Sequence, residues 1–398
     1  MFVAAFVAAV LPSAPPRGTL GLVDREARAA DAPGPTRPPK APPATPSAPQ
    51  PPPPVAPTSR PFRMGFTRWP ADLTEAGVRR AVDFAHAHGD LVSVMVIGGL
   101  PWPEALAGAP FSADVTRTLS YRPPGGQAVF LSISPLDMTR RALAPHWGER
   151  DNQPLPAPWA GRAFDHPDVV KAFVAFCLRA VDLARPAVLA VGVENNILLT
   201  TDPKAWPALK RLHRAAYAAV KRAHPALPVC FTTDVNHYRG HAKEADRALQ
   251  EAEVADLLRD SDLFALSVYP FMSLGTPRPV PDDFLDFAPA LGKPVAISES
   301  GMTSRDVRLA THGVTLRGSD DEQRHWIDLL CRVAARDRYR FVVQFATTDF
   351  PALVARLPAE TADLARIWAF TGLQDDAGVA KPALAAWDRW FAAPYAPR

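Results

Sequence analysis

Cysteine is scarce in this chain: Cys177, Cys230 and Cys331 are the only three in 398 residues, each inside an apolar run and none in a CxxC pair. An odd, widely spaced set excludes a full disulfide framework and reads as three buried thiols acting as small hydrophobes. There is also no apolar stretch of the about 20 residues needed to span a bilayer; the run from Met1 to Leu11 is too short. Charge of one sign is missing as well. Against 44 Lys+Arg stand 41 Asp+Glu, and a net charge of +3 leaves neither a nucleic-acid footprint nor an acidic tail. No glycine-rich loop follows a late strand, and His86-Ala-His88 falls at the end of a predicted helix, not on a strand tip. Neither a metal nor a nucleotide cofactor is implied.

Proline, by contrast, is abundant and concentrated. Residues 31–60 hold 13 prolines with Ala, Thr and Ser between them and almost no large apolar side chain. Such a run buries too little surface to offset its chain entropy, so it is expected to be an extended, disordered linker. Ahead of it, Met1–Leu11 is similar to the apolar region of a secretory signal without its positive start, followed by small-residue sites at Pro12-Ser-Ala14 and Ala27-Arg-Ala-Ala30. Residues 1–30 are therefore a candidate leader, and the mature protein is expected to be exported, without a membrane span.

From residue 61 onward the pattern changes. Short β-rich runs are predicted at Met64–Arg68, Leu91–Ile97, Ala128–Ser134, Val188–Val193, Val229–Thr233, Leu263–Val268, Val295–Ser298 and Phe341–Phe345. Amphipathic stretches lie between them, among them Leu73–His88, Pro167–Ala184, Ala205–His224, Gln250–Leu258, Asp321–Arg336 and Ala359–Phe370. Asp165 and Asp202 are N-cap candidates, and Ser319-Asp-Asp-Glu322 reads as a capping box. Eight strands alternating with helices imply a parallel sheet closed into a (β/α)8 TIM barrel over residues 61–398. The long segment from Pro135 to Phe164 is expected to shape a cleft at its mouth.

Two of the apolar runs end on a lone glutamate: Pro186-Ala-Val-Leu-Ala-Val-Gly-Val-Glu194 on the fourth strand and Pro294-Val-Ala-Ile-Ser-Glu299 on the seventh. A strand buried on both faces cannot hide a charge cheaply, so each carboxylate should emerge at the mouth, where such barrels carry their chemistry. A facing pair of carboxyl groups, one protonated to serve a leaving oxygen and one ionised to attack, is what a retaining glycosidase requires.

These segments resemble the clan of retaining β-glycosidases with catalytic glutamates after strands four and seven. Val191-Gly-Val-Glu-Asn-Asn-Ile197 and Asp262-Leu-Phe-Ala-Leu-Ser-Val-Tyr-Pro-Phe271 are most similar to glycoside hydrolase family 53, the endo-β-1,4-galactanases. The resemblance implies Glu194 as acid/base, Glu299 as nucleophile and Tyr269 as the hydroxyl bonded to the nucleophile. It further implies a β-linked, galactan-like carbohydrate substrate. Two departures stand out. Val193 occupies the place where the clan has an asparagine that reads the sugar hydroxyl beside the reacting carbon, and no arginine ends the second strand. Asn195 or Asn196, from the following loop, is a candidate for the first role, Arg68 for the second. Trp69, Asp234, His237 and Asp349, together with Trp102 and Asn236, fall just past strand ends and suit a saccharide cleft of aromatic faces and short polar groups, with Phe345 or Phe350 a candidate to stack on the sugar at the eighth strand. Val193 keeps an alternative in play: a barrel that binds carbohydrate, or serves at an envelope, with little catalysis.

Overall fold

The computed structural model describes residues 57–357 and 359–397. The candidate leader and residues 31–56 of the proline-rich stretch lie outside them. Arg60, assigned from sequence to the end of the linker, is part of the folded unit: its guanidinium is buried, donates to Asp90 Oδ2 at 2.8 Å, and its amide bonds the carbonyl of Pro394 at 3.0 Å.

Nine strand segments form one parallel sheet. In chain order they are Arg63–Thr67, Leu91–Val96, Ala128–Ile133, Val188–Ala190, Val229–Cys230, Thr232–Asp234, Phe264–Val268, Val295–Ser300 and Phe341–Gln344. The two segments at the ends of the sheet, Val229–Cys230 and Thr232–Asp234, are consecutive in the chain and separated only by Phe231. The sheet therefore closes on itself through the fifth strand, giving the eight staves expected of a (β/α)8 barrel. A small hairpin, Val307–Leu309 with Val314–Leu316, decorates the connection after the seventh stave.

Alternation along the staves sets two cores. Leu91, Phe130, Val188, Ala190, Cys230, Ala265, Ala296, Phe341 and Val343 fill the barrel interior. The opposite faces pack against helices, as in Pro167–Ala184, where Val169, Ala172, Phe173, Phe176, Cys177 and Ala180 share one buried stripe. Burying each such Phe contributes on the order of 1.5–3 kcal/mol. All three cysteines are buried free thiols, and burial pushes each thiol well above its usual pKa.

Helix starts correct the sequence reading in two places. His166, not Asp165, caps Pro167–Ala184, its ring nitrogen accepting from the Asp168 amide at 3.2 Å, while Asp165 pairs with Arg211. The helix after Asp202 begins at Trp206 with Pro207 in its first turn and no side-chain cap. Proline there needs no capping acceptor for its own missing N–H. Ser319 does cap Asp320–Arg336, accepting from the Glu322 amide. Among the described residues no helix is long and apolar enough to cross a membrane.

Candidate active site

The fourth stave is shorter than its apolar run predicts, because the chain turns out of it at Glu194. Pairing continues to Gly192, whose carbonyl accepts from Thr232 at 3.0 Å. Glu194 then adopts φ 52°, ψ 42°, and Asn195–Ile197 form a 3-10 turn. A left-handed glutamate costs on the order of 1 kcal/mol or more and persists only where its surroundings hold it. Here the Glu194 amide donates to Thr232 Oγ1 at 2.8 Å, and Asn196 clamps the next residues. The Asn196 carboxamide accepts from the Asp234 amide at 2.8 Å and donates to the Asp234 carbonyl at 3.0 Å and to Gln250 Oε1 at 2.9 Å.

Asn195 is different. It is fully buried, and neither its Oδ1 nor its Nδ2 has a hydrogen-bond partner among the described residues. Its position follows from Gly192. Val188 and Ala190 face the barrel interior, so alternation points a side chain at 192 inward too. A Cβ added there would lie 2.2 Å from Asn195 Nδ2 and 2.4 Å from Oδ1. The carboxamide thus occupies the interior space that the glycine leaves open.

Opposite, Glu299 lies within the seventh stave, which runs on to Ser300. It pairs with Ser267 across an irregularity that shifts the register by one residue. The Tyr269 hydroxyl donates to Glu299 Oε1 at 2.6 Å. Burial first, and then the charge of Glu194, push the Glu299 carboxyl up to about 7, against the lowering effect of the Tyr269 hydrogen bond and of Arg140. The same burial, with the charges of Glu299, Glu194 and Asp234, raises the Tyr269 phenol well above its usual range. Sequence places Glu194, Asp234, Tyr269 and Glu299 at four successive stave ends, and the fold brings their charges to bear on one hydroxyl.

Glu194 carries a partner that sequence reasoning did not find. Arg140 Nη2 donates to Glu194 Oε2 at 3.0 Å, with both side chains buried. Arg140 comes from the long loop after the third stave, in a left-handed conformation. Its Nη1 donates to the Asp137 carbonyl at 3.2 Å, and its own carbonyl accepts from Thr201 Oγ1 at 2.5 Å. Only the length of the Pro135–Phe164 segment hinted at a role for it, since no periodicity marks one arginine within an irregular loop.

The remaining candidates divide by what holds them. Asp234 accepts from both the amide and the ring Nδ1 of His237 at 2.7 Å; burial opposes its charge, but these bonds outweigh it and hold the carboxyl below the usual carboxylate range. Asn236 donates to the Tyr269 carbonyl at 3.4 Å. The Arg68 guanidinium lies over the Tyr121 ring, 3.7 Å from its centroid, so the arginine meeting a carboxylate of the pair is Arg140 and its carboxylate is Glu194. Trp69 is buried, with ring centroids 5.5 Å from both Phe345 and Phe350. Trp102 packs inside the helical layer on Trp159, and its indole donates to the Ala144 carbonyl. Asp349 is fully buried and accepts from Lys381 Nζ at 2.6 Å and from the Gly372 amide at 3.0 Å. Val193 packs with Ile97, Met95 and Met138, so it offers a ligand nothing polar. No group of His, Cys, Asp and Glu side chains suited to a metal ion is present among the described residues.

No protein-family model matches this chain, and no curated protein matches it. Solved structures do. A GH5_18 structure from Streptomyces cattleya in complex with Manβ1-4GlcNAc is 18% identical, with 85% of this chain and 83% of that chain covered and a TM-score of 0.56. A GH5_18 structure from Bifidobacterium longum subsp. longum with the same disaccharide is 15% identical over 85% and 80%, at a TM-score of 0.57. An exo-β-1,4-mannosidase from an Opitutaceae bacterium is 16% identical over 84% of this chain and 60% of that chain, at 0.56. At such identities the likeness establishes the fold: this chain is a TIM barrel of the architecture those glycoside hydrolases share.

Proposed function

We propose that this protein is a retaining glycoside hydrolase acting on a β-linked carbohydrate. The observation that carries the reading is the pair of buried glutamates at the fourth and seventh stave ends, with the charge of Glu194 acting on the Glu299 carboxyl and Tyr269 bonded to Glu299. In the first step the Glu299 carboxylate attacks the anomeric carbon and the glycosidic C–O bond breaks, the departing oxygen taking the proton of Glu194. In the second, water attacks the same carbon, Glu194 takes the water's proton, and the glycosyl ester to Glu299 breaks. The disaccharide in the GH5_18 complexes and the β-1,4-mannosidase name favour a β-mannosyl substrate, whereas the sequence resemblance favours β-1,4-galactan. Both belong in the test.

That test is reducing-sugar release from a panel of β-mannosides, β-1,4-galactan and other β-glycans by wild type and Glu194→Ala. Wild type is expected to release sugar and the variant to lose on the order of 10²–10⁴-fold on substrates with poor leaving groups. Azide should restore turnover in Glu194→Ala and give the β-glycosyl azide. No release from any β-glycan by wild type would sink the hydrolase and leave the carbohydrate-binding barrel, the reading that Val193 favours.

Within this reading Asn195 takes the hydroxyl contact that Val193 cannot make, since its carboxamide is unpartnered among the described residues and lies against Gly192, two residues before the acid. Contacts to that hydroxyl strengthen in the transition state. Wild type should therefore discriminate strongly against 2-deoxy substrates, and Asn195→Ala should lose most of that discrimination, with about a 10–100-fold fall in kcat/KM on the parent sugar at roughly 1–3 kcal/mol for a lost buried hydrogen bond. An unchanged ratio of parent to 2-deoxy rates in Asn195→Ala would remove Asn195 from the site.

A further inference from the structure

The barrel interior changes character on the way up to the glutamates. Residues that pair across neighbouring staves, or lie two apart on one stave, share a face. The apolar interior set therefore continues upward into a polar one. Ser132 pairs with Ala190, Thr232 with Ala265, and Thr67 with Ser93, which lies two residues past Leu91. Ser267 lies two past Ala265, and Ser298, two past Ala296, is the residue that the register skips before Glu299. A barrel of this kind climbs about one residue per stave. Thr67, Ser132, Thr232 and Ser298, from the first, third, fifth and seventh staves, thus make up one layer, with Ser93 a layer deeper and Ser267 and the Asn195 carboxamide a layer nearer the mouth. Layers in such barrels are usually filled by Val, Ile and Leu. This one is filled by hydroxyls.

Most of these polar atoms find nothing in the protein to bond. The Oγ of Ser93, Ser132, Ser267 and Ser298 and both ends of the Asn195 carboxamide, six atoms in all, are buried without a hydrogen-bond partner among the described residues. Thr232 Oγ1 accepts from the Glu194 amide, and Thr67 Oγ1 has the Met95 sulfur at 3.9 Å. Farther along the third and seventh staves the same residue type is satisfied: Ser134 Oγ donates to the Leu136 carbonyl at 3.1 Å and Ser300 Oγ to the Val268 carbonyl at 3.0 Å. Packing is also looser at the hydroxyls, since Ser93 and Ser298 each keep 4% of their surface accessible while Ala190, Ala265, Ala296 and Val343 keep 0%. Buried polar groups without protein partners are normally met by ordered water, and hydroxyls and a carboxamide both donate and accept as water does. A sugar entering from the mouth meets the carboxamide before the layer, because Asn195 fills the space that Gly192 leaves above Ala190.

We propose that this hydroxyl layer binds ordered water, and that the water carries hydrogen bonds from Ser132 and Ser298 to the Asn195 carboxamide and fixes which of its ends faces a bound sugar. Six atoms, at about three hydrogen bonds per buried water, correspond to about two waters. A carboxamide has one accepting and one donating end, and no protein group among the described residues chooses between them here. Water held from below by hydroxyls on the staves makes that choice, at little loss relative to a direct bond. Ser132 and Ser298 are thus positioning residues that act through Asn195. Their role toward the sugar rests on the hydrolase reading and on the place of Asn195 in it; the water site rests on neither.

The experiment counts long-lived buried waters by deuteron magnetic relaxation dispersion in the full chain, for wild type, for Ser132→Ala combined with Ser298→Ala, and for Ser134→Ala. The double variant should hold about one or two fewer than wild type, at about three hydrogen bonds per water. Ser134→Ala, whose hydroxyl is bonded within the protein, should hold as many as wild type. In parallel, the ratio of parent to 2-deoxy kcat/KM on β-glycosides should fall in the double variant by about 3–10-fold, the range for one net hydrogen bond. A general loosening of the barrel would slow both substrates alike and leave that ratio where it was. An equal number of long-lived waters in wild type and the double variant overturns the proposal, and so does an unchanged ratio. If wild type releases no sugar, the hydrolase reading fails and the water count alone decides: a lower count in the double variant supports the water site, and an equal one overturns it. Should the double variant not fold, Ser132→Ala alone makes the same comparison.

Discussion

Glu299→Gln is expected to stop sugar release and, in the same protein, to stabilise the fold at neutral pH. The first effect follows from losing the covalent nucleophile, a loss on the order of 10⁴-fold or more. The second follows from the carboxyl's surroundings. Burial and the charge of Glu194 raise its pKa from 4.5 in the unfolded chain to about 7 in the native state. Below pH 4.5 both states hold the proton and there is no penalty. Between pH 4.5 and 7 the unfolded chain binds fewer protons than the folded one, so stability falls as pH rises, by about 3 kcal/mol across the window. Glutamine keeps the shape and can accept from the Tyr269 hydroxyl, yet never ionises. Urea unfolding at pH 4.5 and pH 7.5 separates the effects: the variant should match wild type at the lower pH and exceed it at the higher. An equal difference at both pH values would mean that the Glu299 carboxyl is not elevated, and activity within tenfold of wild type would remove it as nucleophile.

This stability cost shows why the pair reads as a site. A rim glutamate in a surface ion pair gains charge stabilisation on folding. Glu299 loses it, and Glu194 adds a strained backbone conformation on the other side of the opening. Unfavourable features of that kind cluster where chemistry requires them.

Much of this was legible in the sequence, because apolar runs with period-two burial announce staves and amphipathic runs announce helices. Each predicted stave exists within one or two residues except the fourth and fifth. The fourth ends early, since Glu194 itself turns the chain out of the strand, and a left-handed glutamate leaves no trace in composition. The fifth breaks at Phe231, whose ring packs outward against His213 while Cys230 faces inward. The stave tips could be read, and with them Glu194, Asp234, Tyr269 and Glu299. What lay between tips could not. Arg140 reaches Glu194 from 54 positions away through an irregular loop. Gln250 holds Asn196 from a helix whose exposed face looks ordinary. Sequence also ranked Arg68 by its place after the first stave, but placement at a tip does not say whether a guanidinium finds a carboxylate or a ring.

Asp349 was ranked on the same positional logic, and a substitution at its partner tests what the fold makes of it. Lys381→Met is expected to destabilise the protein by about 3–5 kcal/mol, the usual cost of stranding one member of a buried ion pair. Lys381 Nζ donates to Asp349 Oδ1 at 2.6 Å and to Ser304 Oγ at 2.9 Å, and neither Asp349 nor Lys381 is more than 8% exposed. Burial already raises the Asp349 carboxyl to about 6 despite the lysine. Losing the cation raises it further, so the deficit should be largest near pH 8 and shrink toward pH 4, where the carboxyl is protonated. Lys381→Met with Asp349→Asn should recover most of the loss, because asparagine can still accept from the Gly372 amide and leaves no charge behind. The urea midpoints of wild type, the single and the double variant decide it, and a single variant within 1 kcal/mol of wild type at pH 8, well under the cost of a stranded buried charge, would overturn the argument. The pair joins the loop beyond the eighth stave to the segment that leads into the last helix, and Ser304 extends that link to the chain leaving Glu299. If the double variant regains both stability and turnover, Asp349 acts on the sugar only by holding the rim in shape. If it regains stability alone, the carboxylate touches substrate, and the positional ranking from sequence was the better guide.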